Sequence, residues 1–285
     1  VPAAHVRGQG YSADLKLRVD LDPEAGPVMQ VNAHVPGAEI AAAKAFWTIN
    51  KMPPKTVAWL DRALGEGRVT RGDVVFRGPV RSWPFAGNEG RFEARFSVAG
   101  ADLDYHADWP RASDVNADAA FINNGLVVYG ATGELLGNRV VSGSGGIASL
   151  KDPILQLNLA GEGDAGNWLR FVKSTPLQRS HGNVLFGMSL AGPAEVAAQF
   201  SIPLRKDLEP GSLVGQVELL GVQFVDTKWD LDYADVRGHA DYSSTGFQAG
   251  DLRLSLADEA ATLSLAVGSF CSDPEQQLEA GMSGT

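Results

Sequence analysis

The chain has 285 residues, of which 44% are hydrophobic and 20% charged, so it is long enough for one large β domain or two ordinary domains and too apolar to be disordered. Its formal net charge of -10 would be repelled by phosphate backbones and anionic membrane surfaces, which argues against a nucleic-acid partner. The single cysteine, Cys271, excludes an internal disulfide framework and a thiolate metal cluster.

The chain also lacks two features of membrane insertion. No stretch approaches the ~20 apolar residues of a spanning helix, and the first residues have no signal-peptide pattern. The sequence begins with valine and opens in loop-like residues. We therefore expect it to be an internal piece of a longer protein.

The first strong pattern along the chain is a β-hairpin. Apolar residues alternate with polar ones from Leu15 to Leu21 and again from Met29 to Val35. The segment DPEAGP between the two runs is rich in turn-forming residues.

Two short helices are predicted among the strands. The first covers residues 55–64, between a Pro-Pro pair and two glycines. The second covers residues 167–173, with Trp168, Leu169 and Val172 facing inward. Two helices of this length cannot cover the apolar side of so many strands.

The clearest strand pattern lies between Arg91 and Gly130. The apolar residues change parity at Gly100, which predicts a β-bulge, because one extra residue moves the following side chains to the other face. Trp109-Pro110 stops the pairing, since proline has no N–H to donate, and the Asn-Asn-Gly tripeptide at 123–125 predicts a tight turn.

An internal similarity suggests a structure built from repeats. Asp114 and Asp235 each precede a valine at the head of a strand, and the glycines that end these strands, Gly125 and Gly246, are separated by the same number of residues. Such spacing is typical of folds that grow by adding β units. We expect one β-groove unit at residues 1–163, a second at 164–270, and a polar, frayed tail at 271–285.

No motif predicts catalysis. The histidines have no metal-binding spacing, no GxSxG segment is present, and the glycine-rich run at 143–146 lacks the Lys-Ser/Thr of a phosphate loop. The polar cluster at 102–108 would need glycine and a carboxylate where Ala107 and Ser113 stand to bind calcium in an EF-hand manner. We predict no enzyme activity, no metal site and no cofactor.

Strand alternation instead predicts a sheet with one apolar face. Either a two-sheet sandwich or a curled sheet with an open trough would satisfy the pattern. The candidate residues of this face share one parity along each strand, apart from the change of parity at Gly100. They are Phe92, Ala94, Phe96, Val98, Leu103, Tyr105, Val115, Ala117, Ala119, Phe121, Leu155, Leu157, Leu159, Val196, Ala198, Phe200, Ile202, Leu252, Leu254, Leu256, Leu263, Leu265 and Val267.

The stretch at 43–125 resembles the middle repeat unit of the YhdP family, and the resemblance is specific from about Leu15 to Gly163 and looser from there to Val267. The matching motifs are Trp59-Leu60, Ala63-Leu64 and Gly67, Phe76-Arg77-Gly78, Trp83-Pro84-Phe85, Gly90-Arg91-Phe92, Leu103-Asp104-Tyr105, Trp109-Pro110, and Phe121-Ile122-Asn123-Asn124-Gly125.

The resemblance implies both a fold and a function. Members of this family are AsmA-like envelope proteins, related in architecture to TamB, with a membrane helix followed by a long periplasmic sheet that curls into a hydrophobic groove. It implies an all-β fold with two short helices and a curled antiparallel sheet. It also implies phospholipid acyl chains as the ligand, and a periplasmic bridge that reaches the inner and outer membranes through parts outside this chain.

Two other functions fit the same residues. A structural or assembly module could pair its exposed strand edges with a partner protein. A carbohydrate-acting or calcium-binding β domain would use Trp109, Trp229 and the aspartates of residues 102–108.

Overall fold

The computed structural model describes residues 3–43, 58, 61–85, 87–175, 177, 185–205, 211–256, 259–273 and 278–284. Within these ranges, seventeen strands form one antiparallel sheet. The strands are β1 (Ala4–Gly8), β2 (Tyr11–Asp22), β3 (Gly26–Val35), β4 (Ala38–Glu39), β5 (Arg68–Pro79), β6 (Arg91–Leu103), β7 (Ala112–Ile122), β8 (Gly125–Leu135), β9 (Asn138–Ile147), β10 (Ile154–Asp164), β11 (Met188–Ala191), β12 (Pro193–Pro203), β13 (Ser212–Asp226), β14 (Leu231–Ser243), β15 (Gly246–Leu256), β16 (Glu259–Gly268) and β17 (Leu278–Gly284). The helices are α1 (Ile40–Ala43), α2 (Ala165–Ser174) and a 3-10 turn at Val80–Ser82.

The strands pair in chain order. Each strand is antiparallel to the next along the chain, with two local variations. The short β4 continues β3 alongside β5, and β11 and β12 lie end to end against β13. Sequential pairing of this kind needs only short connections between neighbours. The prediction of an all-β fold with one long, curled antiparallel sheet is confirmed.

The predicted N-terminal hairpin is present. Leu17 lies opposite Val31, and Val19 lies opposite Met29. The turn is held by Asp22, whose carboxylate accepts hydrogen bonds from the backbone N–H groups of Glu24 at 2.9 Å and Ala25 at 2.6 Å. These two hydrogen bonds keep the pKa of Asp22 below its ordinary value, because they favour the charged carboxylate.

The second predicted helix is present and the first falls mostly outside the described residues. α2 begins two residues earlier than the apolar stripe indicates, because Asp164 caps it and accepts hydrogen bonds from the N–H groups of Gly166 and Asn167. Of the helix predicted at 55–64, residues 58 and 61–64 are described; residues 58 and 61–63 are helical, whereas Leu64 forms an isolated β-bridge with Leu103. No helix in the described ranges combines the length and apolar character that crossing a bilayer requires.

The C-terminal tail differs from its prediction. Instead of fraying, its residues 278–284 form β17, which pairs with β16 from Val267–Leu278 to Ala261–Gly284. The edge of β16 has backbone N–H and C=O groups that need hydrogen-bond partners, and the backbone of the tail provides those partners.

The positions that correspond between the two halves of the chain lie at β-bulges. The register shifts between Val98 and Ala101, where Gly100 has φ +61°, and Asp114 on the neighbouring strand has φ +50°. The corresponding positions of the second half, Gly221 and Asp235, have φ +104° and +52°. Bulges bend strands and increase their twist, so these positions contribute to the curl of the sheet. The boundaries of the two repeat units stay a prediction.

The bulge at Gly221 gives a stability test. An alanine there would keep φ +104° and place its Cβ 2.8 Å from both Arg237 Nη2 and Asp235 Oδ1. We expect Gly221→Ala to lower the free energy of unfolding by about 1–3 kcal/mol, measured by urea denaturation. The matched control is Gly250→Ala, because a Cβ at position 250 meets no atom within 4 Å. Equal destabilisation by both substitutions would contradict this account of the bulge.

Candidate functional site: the inner face of the sheet

Cross-strand register joins the predicted apolar positions into one continuous surface, here called the inner face. Residues directly opposite each other on antiparallel strands point to the same side of a sheet. One such row crosses seven strands from β6 to β13. It consists of Phe96, Ala119, Val128, Gly145, Leu157, Phe200 and Leu213. The register places the other candidate residues on this face too, apart from Tyr105, which follows β6, and Leu256, whose side chain lies outside the described residues.

The opposite, outer face is polar. On β6, the guanidinium groups of Arg95 and Arg91 hydrogen-bond to Glu93 and keep the pKa of that carboxyl below its ordinary value. Across β10, β12 and β13, Glu162, Glu195 and Glu218 lie directly opposite one another. Arg139 pairs with the first of these carboxylates on its far side. The sheet therefore has one wet and one apolar side, as the alternation predicts.

Burial varies strongly along the inner face. On β13–β16 its side chains form a closed core with Trp168 of α2, and Val222 and Val236 are 0% and 1% exposed. The candidates Leu252, Leu254, Leu263 and Val267 belong to this buried part of the sheet. On β6–β10 most of the candidates are only half-buried. On β2 the inner face is open, and Val19 and Leu21 are 49% and 82% exposed.

An aromatic cluster shows that the sheet curls towards its inner face. It consists of Tyr105, Trp109, Phe171 and Phe200, with ring centroids of Trp109 at 6.4 Å from Tyr105, 5.5 Å from Phe171 and 6.0 Å from Phe200. Trp109 precedes β7 and Phe200 lies on β12, four strand spacings away, which is about 19 Å on a flat sheet. The contact therefore requires both a curled sheet and a β6–β7 loop that lies over the inner face.

Helix α2 covers the inner face beside this cluster. The Trp168 ring lies over Gly161 of β10, where an added Cβ would come within 2.7 Å of it. The sequence pattern placed Trp168, Leu169 and Val172 inward, and it missed Phe171, which contacts Trp109. The signal was weak, because the partner of Phe171 lies in a loop more than sixty residues away in the sequence.

An aromatic corner occupies the opposite ends of β5 and β6. Phe85 is 1% exposed and packs on Phe76 at 5.1 Å, while Trp83 packs edge-on against Phe92 at 6.2 Å. Asn123 ties the corner together, since its Oδ1 accepts a hydrogen bond from the N–H of Phe92 and its Nδ2 donates one to the carbonyl of Phe85. The motifs Trp83-Pro84-Phe85 and Phe121-x-Asn123 therefore have a structural role.

The alternative sites are not assembled. Among the described residues, no group of three or more His, Cys, Asp or Glu side chains is placed to hold a metal ion. Asp104 pairs with Arg111 at 3.0 Å. Trp109 packs inside the sheet, whereas Trp229 is exposed with Lys228 Nζ 4.9 Å from its ring centre, so the two tryptophans do not form one stacking surface.

Burial in the aromatic cluster is expected to make Tyr105 lose its proton at a higher pH than an exposed tyrosine. Burial raises the pKa of Tyr105 to about 12, because it disfavours the charged phenolate. Burial also raises the pKa of Tyr242. In a near-ultraviolet pH titration, we expect Tyr105→Phe to remove one late phenolate step while the signal up to about pH 10 is unchanged.

The raised pKa of Tyr105 also makes the free energy of unfolding depend on pH. The folded state holds the Tyr105 proton more tightly than the unfolded state does, so this contribution is fully present below about pH 10 and is lost as the pH rises towards 12. Tyr105→Phe should flatten that decline relative to the unchanged chain. An equal decline in both proteins would show that Tyr105 is solvated in the folded state.

Comparison with known proteins identifies the relatives of this fold. The chain is 26% identical over 165 residues to the intermembrane phospholipid transporter YhdP of Escherichia coli (strain K12). The match covers 57% of this chain and 13% of that protein, so the chain spans a small part of the length of its relative. No solved structure gives a significant match. The profile of the YhdP protein family matches residues 5–285, and the chain therefore belongs to the YhdP family.

Proposed function

We propose that this chain is a segment of an intermembrane phospholipid transporter and that it binds acyl chains on the inner face of its sheet. The observation that carries the proposal is the half-buried apolar surface on β6–β10, which widens to an open surface on β2. A folded chain ordinarily covers such a surface with its own side chains. The name of the Escherichia coli relative supports lipid as the cargo.

The physical driving force is burial of hydrocarbon. Each CH₂ group that leaves water for an apolar surface contributes about 0.8 kcal/mol, so about ten buried CH₂ groups supply the roughly 8 kcal/mol of micromolar binding, and further groups offset the entropic cost of association. The inner face mixes phenylalanines with alanines, including Phe92, Ala94 and Phe96 on β6. Small residues between large ones leave shallow gaps along the strand that a flexible chain can fill.

Head groups would stay outside the inner face. The charged side chains described above lie on the outer face, and the chain has a net charge of -10, so the inner face offers dispersion contacts rather than ionic ones. We therefore propose little discrimination between phospholipid classes. The proposal places the segment in the periplasm, with contact to the inner and outer membranes, including an inner-membrane anchor, made by parts outside this chain.

One pair of neighbouring residues tests the proposal directly. Val128 points to the inner face opposite Ala119, and Val127 points to the outer face opposite Ala120. Val128→Asp places a carboxylate among apolar side chains, and we expect it to reduce bound phospholipid by about tenfold or more. Native mass spectrometry and lipid extraction after purification in mild detergent would measure the lipid content.

The control is Val127→Asp, which adds the same charge to an exposed position. We expect it to retain the lipid content and the thermal unfolding midpoint of the unchanged chain. Equal lipid content in the two variants, or no phospholipid in any preparation of the unchanged chain, would refute binding at the inner face.

A second candidate function is an assembly module that pairs its strand edges with another protein. Within the described residues, β1 pairs with β2 only, and all five of its residues are exposed. Site-specific cross-linking from Val6 that captured a different envelope protein, together with a lipid-free inner face, would favour this function.

A further inference from the structure

We infer that the aromatic cluster is the end wall of the acyl-chain site, so that a bound chain occupies the inner face of β5–β10 and stops before β13. This inference deepens the proposed function and rests on it. It assigns Trp109, Phe171 and Phe200 as the residues that set how far along the sheet a hydrocarbon tail can extend.

The first observation that supports an end wall is the position of the aromatic cluster. Trp109 approaches from the loop between β6 and β7, Phe171 from α2, and Phe200 from β12. These three elements come from different parts of the chain and meet over the inner face. An acyl chain lying across the strands from β6 towards β13 would encounter the three rings in its path.

The second observation is that the burial of inner-face side chains changes from one side of the cluster to the other. On the β10 side, Leu157 and Leu159 are half-buried. On the β13 side, Leu213 and Leu219 are buried and the inner face continues into the closed core of β13–β16. Most inner-face side chains are therefore half-buried before the cluster and more of them are buried beyond it, although Ala101 and Val115 form a small buried core on β6 and β7 and Val217 of β13 is half-buried.

One side of the wall is firmly fixed. Asp164 accepts hydrogen bonds from Gly166 at 2.9 Å and Gly192 at 2.8 Å, which ties the start of α2 to the start of β12. Asn138 bonds to the backbone of Asp164 through both its side-chain atoms, at 2.9 and 3.0 Å. At the other end of the helix, Lys173 Nζ donates to the carbonyl of Met188 at 2.6 Å.

The other side is the β6–β7 loop, in which Asp104 pairs with Arg111 at 3.0 Å and its N–H donates to the carbonyl of Ala63 at 3.0 Å. The loop that carries Trp109 contains local hydrogen bonds, such as the one from the N–H of Trp109 to the carbonyl of His106 at 3.1 Å. The indole ring itself is held by ring contacts.

The test maps where a lipid tail reaches. A phosphatidylcholine with a diazirine in one acyl chain is bound to the purified chain in detergent, photolysed, and the adducts are located by peptide mass spectrometry. For the unchanged chain we expect adducts on β5–β10 and only background on β13–β16. For Trp109→Ala we expect adducts on β13–β16 to rise from background to the level seen on β10.

The controls separate the wall from the fold. Trp229→Ala removes an exposed tryptophan and should leave the adduct map unchanged. Phe171→Ala opens the wall from the α2 side and should reproduce the Trp109→Ala map, which keeps the test valid if one of the two variants unfolds. Trp109→Phe retains a ring and should keep adducts off β13–β16.

The outcomes distinguish the two proposals. Adducts on both sides of the cluster in the unchanged chain, or an unchanged map in both wall variants while lipid still binds, would overturn the wall alone. The absence of adducts on every strand would overturn the proposed function and the wall with it.

Discussion

Cross-strand register is the constraint on which the rest of this structure depends. Because side chains alternate with period two, a strand that pairs in the wrong register would turn its apolar residues to water. The sheet preserves one apolar side from β2 to β17, and at the bulges it does so by inserting a residue in both neighbouring strands. Gly100 and Asp114 illustrate this, since each takes a positive φ and the residues that follow return to the inner face.

By bending the strands, the bulges also help one sheet to bury part of its own apolar side. In the part of the chain that the structure describes, all strands belong to one sheet, so its apolar side is buried by curling, by short helices or by a ligand. The chain uses the first two on β13–β16, where α2 completes a dry core. It uses neither fully on β2, where large apolar side chains stay exposed.

The features that could be predicted from the sequence are local ones. Alternation identified the apolar face, the parity change at Gly100 identified a bulge, and the Asn-Asn-Gly tripeptide identified a turn, because each depends on a few neighbouring residues. The contact of Trp109 with Phe200 could not be predicted, since it depends on bending accumulated over several strands. Strand β17 was missed for a related reason, because a short polar segment becomes a strand only where a free edge is available.

The row of carboxylates on the outer face makes the pairing of these strands depend on the salt concentration. Glu195 lies between Glu162 and Glu218, so repulsion opposes the pairing of β10, β12 and β13. Dissolved ions screen such repulsion within a Debye length of about 10 Å at 0.1 M. Added salt would weaken this repulsion and, at the two ends of the row, also the contacts of Glu162 with Arg139 and of Glu218 with His239, so it favours strand pairing most at Glu195 in the middle.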